Sequence, residues 1–300
     1  MGDPVLVLLA ALGLMVAGGL ASMAAGRRER LSSLLGAGSA VAGCALGLVP
    51  AARAALGLET GDVRWAWDLP GAGFHVGLDA LSGFFLVPTL GLTALAAVYG
   101  VGYLKPTAET GRPGPARFYF NLLGASMALV LVSRDAVLFL LAWETMALSS
   151  FFLVTFENGN PKAREAGWVY LVASHLGTAF LLAMFVLIEA ETGTLDFDGF
   201  GGLAQGAPAA AGLIFLLALV GFGTKAGFMP LHVWLPDAHP AAPSHVSAVL
   251  SGVMIKTGIY GLVRTMTFLG TPPEWWGWTL VAIGATSGSS ACSSRWPSTT

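Results

Sequence analysis

A lysine and the helix break that follows it are the first features of this sequence that could do chemistry. The stretch GFGTKAGFMPLHVWLPDAHP covers residues 221–240 and follows an almost wholly apolar run, so Lys225 lies where a buried helix should still continue. Gly227 weakens that helix, and Pro230 removes a backbone donor and clashes one turn back. If the run crosses a membrane, the freed carbonyl groups need protein or water as partners, which predicts a hydrated cavity beside the lysine. A kink that serves packing alone is the competing interpretation.

Two further charges interrupt apolar segments in the same way. Glu144 lies in LLAWETMALSS, and Lys256 lies near the middle of the segment that contains SGVMIKTGIYG. Such a charge costs roughly 2.5–3.5 kcal/mol at the centre of a membrane helix. Burial disfavours a charged lysine, whereas a carboxylate about 4 Å away favours it by roughly 4 kcal/mol at an effective dielectric near 20. Movement of Glu144 relative to Lys225 would therefore change whether the lysine holds its proton, as a proton relay requires. A structural pair that only locks helices together is the alternative.

Histidines extend the candidate relay. His175 lies inside the apolar segment YLVASHLGTAF, and His245 follows the helix break. Neutral imidazole can pass protons at physiological pH, so both are relay candidates, with a satisfied core histidine as the equal alternative. His232 and His239 lie in the turn between two apolar segments and are interpreted as capping or interfacial residues.

The composition places this chemistry in a membrane. The chain has 300 residues, of which 55% are hydrophobic and 11% charged, whereas soluble proteins average about 25% charged residues. A formal net charge of -2 argues against a nucleic-acid partner. Cys44 and Cys292 have no metal-ligand spacing, and no phosphate-binding glycine loop is present. We therefore expect no bound cofactor or metal and no catalytic residues in this chain, and any redox centre belongs to another subunit.

The apolar segments predict an all-α polytopic membrane protein with about eight transmembrane helices, the seventh of them broken. The first segment lacks the basic start of a signal peptide and is predicted to span the membrane. A ninth segment begins near Trp275 and is too short to span. The eight predicted spans are Pro4–Ala25, Leu31–Pro50, Leu78–Leu104, Arg117–Val132, Asp135–Phe156, Lys162–Ile188, Ala209–Met229 and Ser244–Leu269.

Basic residues favour alternate loops, which predicts an orientation in the cell inner (plasma) membrane. The positive-inside rule puts the odd-numbered loops in the cytoplasm and the N-terminus outside. The odd loops carry Arg27, Arg28, Arg30, Lys105, Arg112, Arg117, Lys162 and Arg164, whereas the even loops carry only Arg53, Arg64, Arg134 and Arg264.

Four stretches together resemble a known family. They are LLAWETMALSSFFLV, YLVASHLGTAF, GFGTKAGFMPLHVWLPDAHPAAPSHVSA and LSGVMIKTGIYGL. They resemble the antiporter-like, proton-translocating membrane subunits of the complex I and membrane-bound hydrogenase family, and within it the branch of hydrogenase 4 component B (formate hydrogenlyase subunit 3). The resemblance implies a fold of roughly fourteen helices, of which this chain would be the N-terminal half.

The resemblance also implies roles for the buried charges. Glu144 matches the key glutamate of the fifth helix, Lys225 the lysine of the broken seventh helix, and Lys256 the lysine of the eighth. His175 sits where relatives place another polar residue on the sixth helix. The expected function is a subunit of a respiratory oxidoreductase complex that couples electron transfer in partner subunits to H⁺ movement. A subunit of a multi-component cation/proton antiporter and a structural membrane anchor are the alternatives.

We divide the chain into three parts. Residues 1–77 hold the N-terminal transmembrane helices and a connecting loop, and residues 78–285 form an incomplete antiporter-like module. Residues 286–300 are a serine-rich polar tail that departs from the family pattern, which we interpret as a frameshift in a truncated chain. A genuine short protein with a disordered tail is the alternative.

Overall fold

A computed structural model describes residues 3–26, 28–68, 71–104, 113–201, 203 and 208–293, without the side chains of 208–209 and 290–293. The loop charges Arg27, Lys105 and Arg112 and the tail residues 294–300 lie outside the described residues, as does the side chain of Cys292. The chain is mostly helical. The helices are α1 (Pro4–Ala24), α2 (Glu29–Ala55), α3 (Ala80–Tyr103), α4 (Gly114–Val132), α5 (Ala136–Val154), α6 (Pro161–Thr192), α7 (Pro208–Ala226), α8 (Leu235–Ala241), α9 (Ser244–Phe268) and α10 (Glu274–Ser293), with a 3₁₀ turn at Phe197–Phe200.

Seven described helices are long and apolar enough to cross a membrane, which confirms a multi-pass membrane protein. They are α1 to α6 and α9. The predicted seventh span is interrupted: α7 ends at Ala226, and the short helix α8 resumes at Leu235. The predicted partial ninth span is helix α10, which continues into the serine-rich segment as far as Ser293.

A β-hairpin between α2 and α3 corrects the all-α expectation. Strands β1 (Gly61–Trp65) and β2 (Phe74–Leu78) pair antiparallel, with Gly61 opposite Leu78. Leu78, predicted to begin the third span, therefore ends a strand. The alternating pattern of five-residue strands is a weak sequence signal, and stacking of Trp65 on Phe74 at 4.9 Å adds a contact that only the folded hairpin shows.

Close contact between α7 and α9 fixes the region around the helix break. A Cβ atom on Gly258 of α9 would lie 2.6 Å from the Phe222 carbonyl oxygen and 2.9 Å from the Ala226 nitrogen. Only glycine lets the two backbones approach this closely, which is the usual role of small residues between membrane helices. The end of α7, which carries Lys225, is therefore held directly against α9.

A partly buried ionic cluster joins the start of α3, the residues that follow α4, and α9 at one end of the bundle. Arg264, which we counted as a loop charge, lies within α9 and is buried; it binds both oxygens of Asp79 at 2.7 and 2.8 Å. Arg134 contacts the same carboxylate at 3.2 Å. Burial raises the pKa of Asp79, but the hydrogen bonds from Arg264 and the charge of Arg134 outweigh burial and hold this pKa well below its usual range. Asp79 also caps α3 through the Ser82 amide.

Candidate functional site

Lys225 is buried between α5, α6 and α7 and has protein partners for its charge. Its residue is 3% exposed, and its Nζ donates a hydrogen bond to the Tyr170 hydroxyl at 2.7 Å. The ammonium also lies 4.9 Å from the centre of the Tyr170 ring and 5.8 Å from that of Trp143. Cation–π contacts of this kind stabilise a desolvated cation by about 2 kcal/mol. The site therefore holds a buried lysine in a largely aromatic setting.

The hydrogen bonds that leave Lys225 form a directed chain. Ser150 donates its proton to the Met146 carbonyl at 2.6 Å, so its oxygen must accept from Tyr170. Tyr170 then donates its single proton to Ser150 and accepts a hydrogen bond from Lys225. An ammonium at Lys225 fits this order, because it offers three donors and no acceptor.

Glu144 pairs with His175. Its Oε2 lies 3.3 Å from the His175 Nε2, and the other ring nitrogen, Nδ1, is 2.9 Å from the Leu171 carbonyl oxygen. If Nδ1 carries the proton that binds this carbonyl, an ion pair with Glu144 requires a second proton on Nε2. The Oε1 of Glu144 is buried and has no partner among the described residues. A buried carboxylate oxygen without a partner is destabilising, so a hydrogen-bond donor that approaches Oε1 would stabilise this position.

The carboxylate of Glu144 and the ammonium of Lys225 do not form an ion pair in the described structure, although the sequence favoured such a pair. The reason is helix geometry. Trp143 and Glu144 are neighbours on α5, and successive helical residues point about 100° apart. Trp143 is 1% exposed and its ring meets Lys225, so Glu144 is turned toward α6 and His175.

The helix break lies where the sequence placed it, but its surroundings differ from the prediction. Gly227 has φ of +76°, a conformation that favours glycine, and the peptide bond before Pro230 is cis. The Trp234 indole donates to the freed carbonyl of Thr224 at 2.8 Å. Protein groups therefore satisfy carbonyls that we expected to bind water.

The described cavity beside the break does not contain the lysine. It has a volume of about 470 Å³ and an apolar lining of α6 and turn residues, to which Thr224 and Pro230 also contribute. Lys225 is not among its lining residues. Lys225 itself lies against the rings of Trp143 and Tyr170, and the cavity beside the break has a mostly apolar lining.

Lys256 lies on the outer surface of the described bundle. Its side chain is exposed, and Nζ donates to the Ser251 carbonyl at 3.3 Å. That carbonyl belongs to a π-helical turn, Leu250–Met254, where the regular backbone ladder of α9 is interrupted. The structure does not bring Lys256 into contact with Lys225.

The remaining histidines occupy separate places. His245 is 4% exposed, lies against the rings of Tyr103 and Phe120, and has an Nδ1 with no partner among the described residues. It lines a water-sized cavity of about 20 Å³ with Arg117, Asn121 and apolar residues. His239 contacts the Ser247 hydroxyl at 3.2 Å, as a capping residue would, and His232 has a buried Nδ1 without a described partner.

Sequence reasoning missed three residues that surround Lys225. Tyr170, Trp143 and Ser150 read as ordinary residues of apolar helices, and no motif marks them as partners of a lysine on another helix. One signal was present: polar atoms inside a membrane helix need a partner there, and the Tyr170 hydroxyl falls near mid-segment. Which partner it takes depends on helix packing.

Comparisons with known proteins identify the family of this chain. Residues 133–292 match the family described as NADH:quinone oxidoreductase/Mrp antiporter, transmembrane. Hydrogenase-4 component B of Escherichia coli (strain K12) is 40% identical over 227 residues, covering 75% of this chain and 33% of that protein. Formate hydrogenlyase subunit 3 of the same strain is 30% identical over 243 residues, covering 81% of this chain and 38% of that protein.

A solved structure shows the same fold. A chain in the structure of the Mrp complex from Dietzia sp. DQ12-45-1b superposes with a TM-score of 0.78 at 27% identity, over 93% of this chain and 30% of that one. The chain thus spans about a third of the length of the relatives it matches. The residues that match the family, 133–292, contain the helix break together with Glu144, Lys225 and Lys256. This chain therefore belongs to the NADH:quinone oxidoreductase/Mrp antiporter transmembrane family.

Proposed function

We propose that this chain is a proton-translocating subunit of a membrane-bound oxidoreductase complex of the hydrogenase 4 or NADH:quinone oxidoreductase type. The observation that carries the proposal is Lys225, a buried lysine held by a hydroxyl and two aromatic rings with no carboxylate in ion-pair contact in the described structure. An intramembrane ionisable residue marks an ion path by default. The similarity to hydrogenase-4 component B supports the oxidoreductase branch.

The proposed relay has two arrangements of Glu144. In the described one the carboxylate is paired with His175 at 3.3 Å, and its second oxygen has no described partner. In the other, loss of the Nε2 proton of His175, or movement of its ring, releases the carboxylate toward Lys225. At about 4 Å with an effective dielectric near 20, that approach favours the charged lysine by roughly 4 kcal/mol, or about a thousandfold in its protonation equilibrium. Return of Glu144 to His175 would release the proton.

Lys256 and His245 complete the proposed path. Lys256 is exposed beside a π-helical turn, where a further helical segment or subunit would enclose it and receive the proton. His245 has an unpartnered ring nitrogen and lines a water-sized cavity, as a relay histidine requires. Residues 78–285 would form the translocating module, in an inner (plasma) membrane with the N-terminus outside. The partners would be the redox and membrane subunits of the complex, which would hold every cofactor.

A cation/proton antiporter subunit is the second candidate function. The structural match to a chain of the Mrp complex favours it. The same Glu144, His175 and Lys225 would then couple proton movement to a cation gradient instead of electron transfer. In the third, structural interpretation, the buried charges only hold helices together.

The test measures proton movement in inside-out membrane vesicles from the source organism, with variants made at the chromosomal locus. Lys225→Met removes the charge and keeps the volume, and Lys162→Met is the matched control because Lys162 is an exposed lysine at the start of α6. Acidification is driven once by an electron donor (H₂, formate or NADH) and once by an imposed Na⁺ gradient.

The two drives separate the three functions. The proposal expects donor-driven acidification that Lys225→Met abolishes and Lys162→Met leaves intact. Acidification only with the Na⁺ gradient, lost in Lys225→Met, would establish the antiporter function instead. If both variants match the parent under both drives, the buried lysine is structural and the relay is wrong.

A further inference from the structure

A second cluster of charged side chains lies outside the proposed relay, at the extramembrane rim of the β-hairpin. It comprises His75 on β2, Asp62 on β1, and Asp196 and Asp198 in the segment between α6 and α7. His75, Asp196 and Asp198 each offer one ligand atom, and these atoms lie within 4.8 Å of one another. Three separate segments of the chain thus converge on one point. The proposed function uses none of these residues.

The imidazole of His75 is held in a fixed orientation, and its second ring nitrogen, Nε2, is available to bind a ligand. Its side chain is 4% exposed, and Nδ1 lies 2.9 Å from the Asp196 carboxylate. When the Nδ1 proton is donated to Asp196, Nε2 is left with a lone pair. A carboxylate on the other ring nitrogen is the usual arrangement behind a metal-bound histidine, because it sets the tautomer and the ring orientation.

The gap next to Nε2 has the width that a metal ion needs. Nε2 and the Asp62 Oδ2 are 3.8 Å apart, too far for a hydrogen bond. A divalent transition cation with bonds of about 2.0–2.2 Å to nitrogen and oxygen would fit between two donors at this separation. His75, Asp62 and Asp198 also share the lining of one open cavity of about 440 Å³.

The charges near this gap leave a negative excess. Arg64 is the positive group that contacts the cluster: it pairs with Asp62 at 3.6 Å, with Asp196 at 3.4 Å and with Asp198. Three carboxylates and one guanidinium sum to two negative charges when His75 is neutral. The Arg64 side chain is 53% exposed, so it can turn into solvent without leaving a buried cavity.

A neighbouring cluster borders the same cavity and carries one net positive charge. In it Asp79 pairs with Arg134 at 3.2 Å and with Arg264 at 2.7 Å, and one positive charge is fewer than the two negative charges of the rim. The uncompensated negative charge therefore stays at the hairpin rim.

We propose that His75 Nε2, Asp62 and Asp198 bind a divalent transition cation such as Zn²⁺, with Asp196 orienting the imidazole and Arg64 competing for the carboxylates. One imidazole and several carboxylates suit Zn²⁺ and Mn²⁺ better than thiolate-preferring ions. The bound cation would clamp the hairpin to the segment between α6 and α7. The site is independent of the proposed proton relay.

The experiment titrates Zn²⁺ into the purified chain by isothermal calorimetry. The chain is kept in detergent and carries an affinity tag without histidines. His75→Gln and Asp198→Asn each remove one proposed ligand. Asp198 is exposed, so the Asp198→Asn chain should fold and can test the site even if the His75→Gln chain does not fold. Arg64→Gln removes the competing cation. Asp68→Asn is the matched control, because Asp68 is an exposed aspartate of the same hairpin loop.

The proposal expects one Zn²⁺ per chain. Each ligand variant should weaken the affinity at least tenfold, since loss even of an outer-shell partner typically costs 10- to 100-fold. Arg64→Gln should tighten binding, and Asp68→Asn should leave it unchanged. Absence of saturable binding, equal binding by the Asp198→Asn chain, or weaker binding by the Arg64→Gln chain would each overturn the site. None of these results depends on proton transport.

Discussion

Replacement of Tyr170 by phenylalanine removes one hydroxyl from the centre of the proposed relay and leaves the rest of the enclosure in place. The hydroxyl accepts from Lys225 at 2.7 Å and bonds Ser150 on its other side. The phenyl ring that remains can still lie under the ammonium, as the tyrosine ring does at 4.9 Å. The variant therefore isolates the hydrogen bond from the aromatic contact.

The size of the effect follows from the type of bond that is lost. A hydrogen bond to a charged group contributes about 1.5–3 kcal/mol. Its loss removes that contribution from the arrangement in which Lys225 donates to Tyr170, which corresponds to roughly 10- to 150-fold in an equilibrium constant. Ser150 would also lose its donor, but it keeps its own bond to the Met146 carbonyl. We expect Tyr170→Phe to slow proton movement by at least tenfold.

Two assays test this prediction: vesicle acidification measures the rate of proton movement, and thermal unfolding in detergent measures the stability of the chain. Tyr119→Phe is the control, because Tyr119 stacks on Phe152 and its hydroxyl makes no hydrogen bond to the described residues. A double-mutant cycle with Lys225→Met separates the bond from general destabilisation. Tyr170→Phe should lower stability in the parent chain and have a smaller effect when Lys225 is already methionine.

Two results would refute this reasoning. If Tyr170→Phe moves protons as fast as Tyr119→Phe, then the hydroxyl does not set the protonation of Lys225. If the effects of Tyr170→Phe and Lys225→Met on stability add without coupling, the hydrogen bond at 2.7 Å contributes no net free energy.

Three further predictions test other parts of the structure. Glu144→Gln removes the charge that faces His175, and vesicle acidification should fall at least tenfold with no large change in melting temperature. Asp79→Asn leaves buried Arg264 without its carboxylate. We expect the free energy of unfolding to fall by about 2–3 kcal/mol, measured by thermal unfolding. This is less than the roughly 3–5 kcal/mol lost when a fully buried ion pair is broken, because Asp79 is 39% exposed. The pKa of Asp79 is lower in the folded chain than in the unfolded chain, so the pair stabilises the fold fully above about pH 4, the unfolded pKa. This stabilisation is lost as the pH falls toward the folded pKa. The stabilities of the parent and of Asp79→Asn should therefore converge in acid. Gly258→Ala would drive a methyl group into the α7 backbone and should lower stability by about 1–3 kcal/mol in the same assay, whereas Gly38→Ala, which meets open space, should not.

The sequence by itself determined the features that depend on neighbours along the chain. Runs of apolar residues placed the spans, because a segment of this length and hydropathy is stable only inside a bilayer. Gly227 and Pro230 located the break after α7, because both act on the backbone within one helical turn. The same logic marked Glu144, Lys225 and Lys256 as charges inside apolar segments, since their positions along those segments can be read from the chain.

Only the tertiary structure decided which of these groups meet. Glu144 contacts His175, and Lys225 contacts Tyr170, because the rotation of α5 turns Trp143 toward the lysine and Glu144 away from it. A change of one residue in register along a helix turns a side chain by about 100°, and spacing within one segment carries no information about a neighbouring helix. The pairing of charges is thus a property of helix packing, and it is this pairing that separates a proton relay from a set of buried ions.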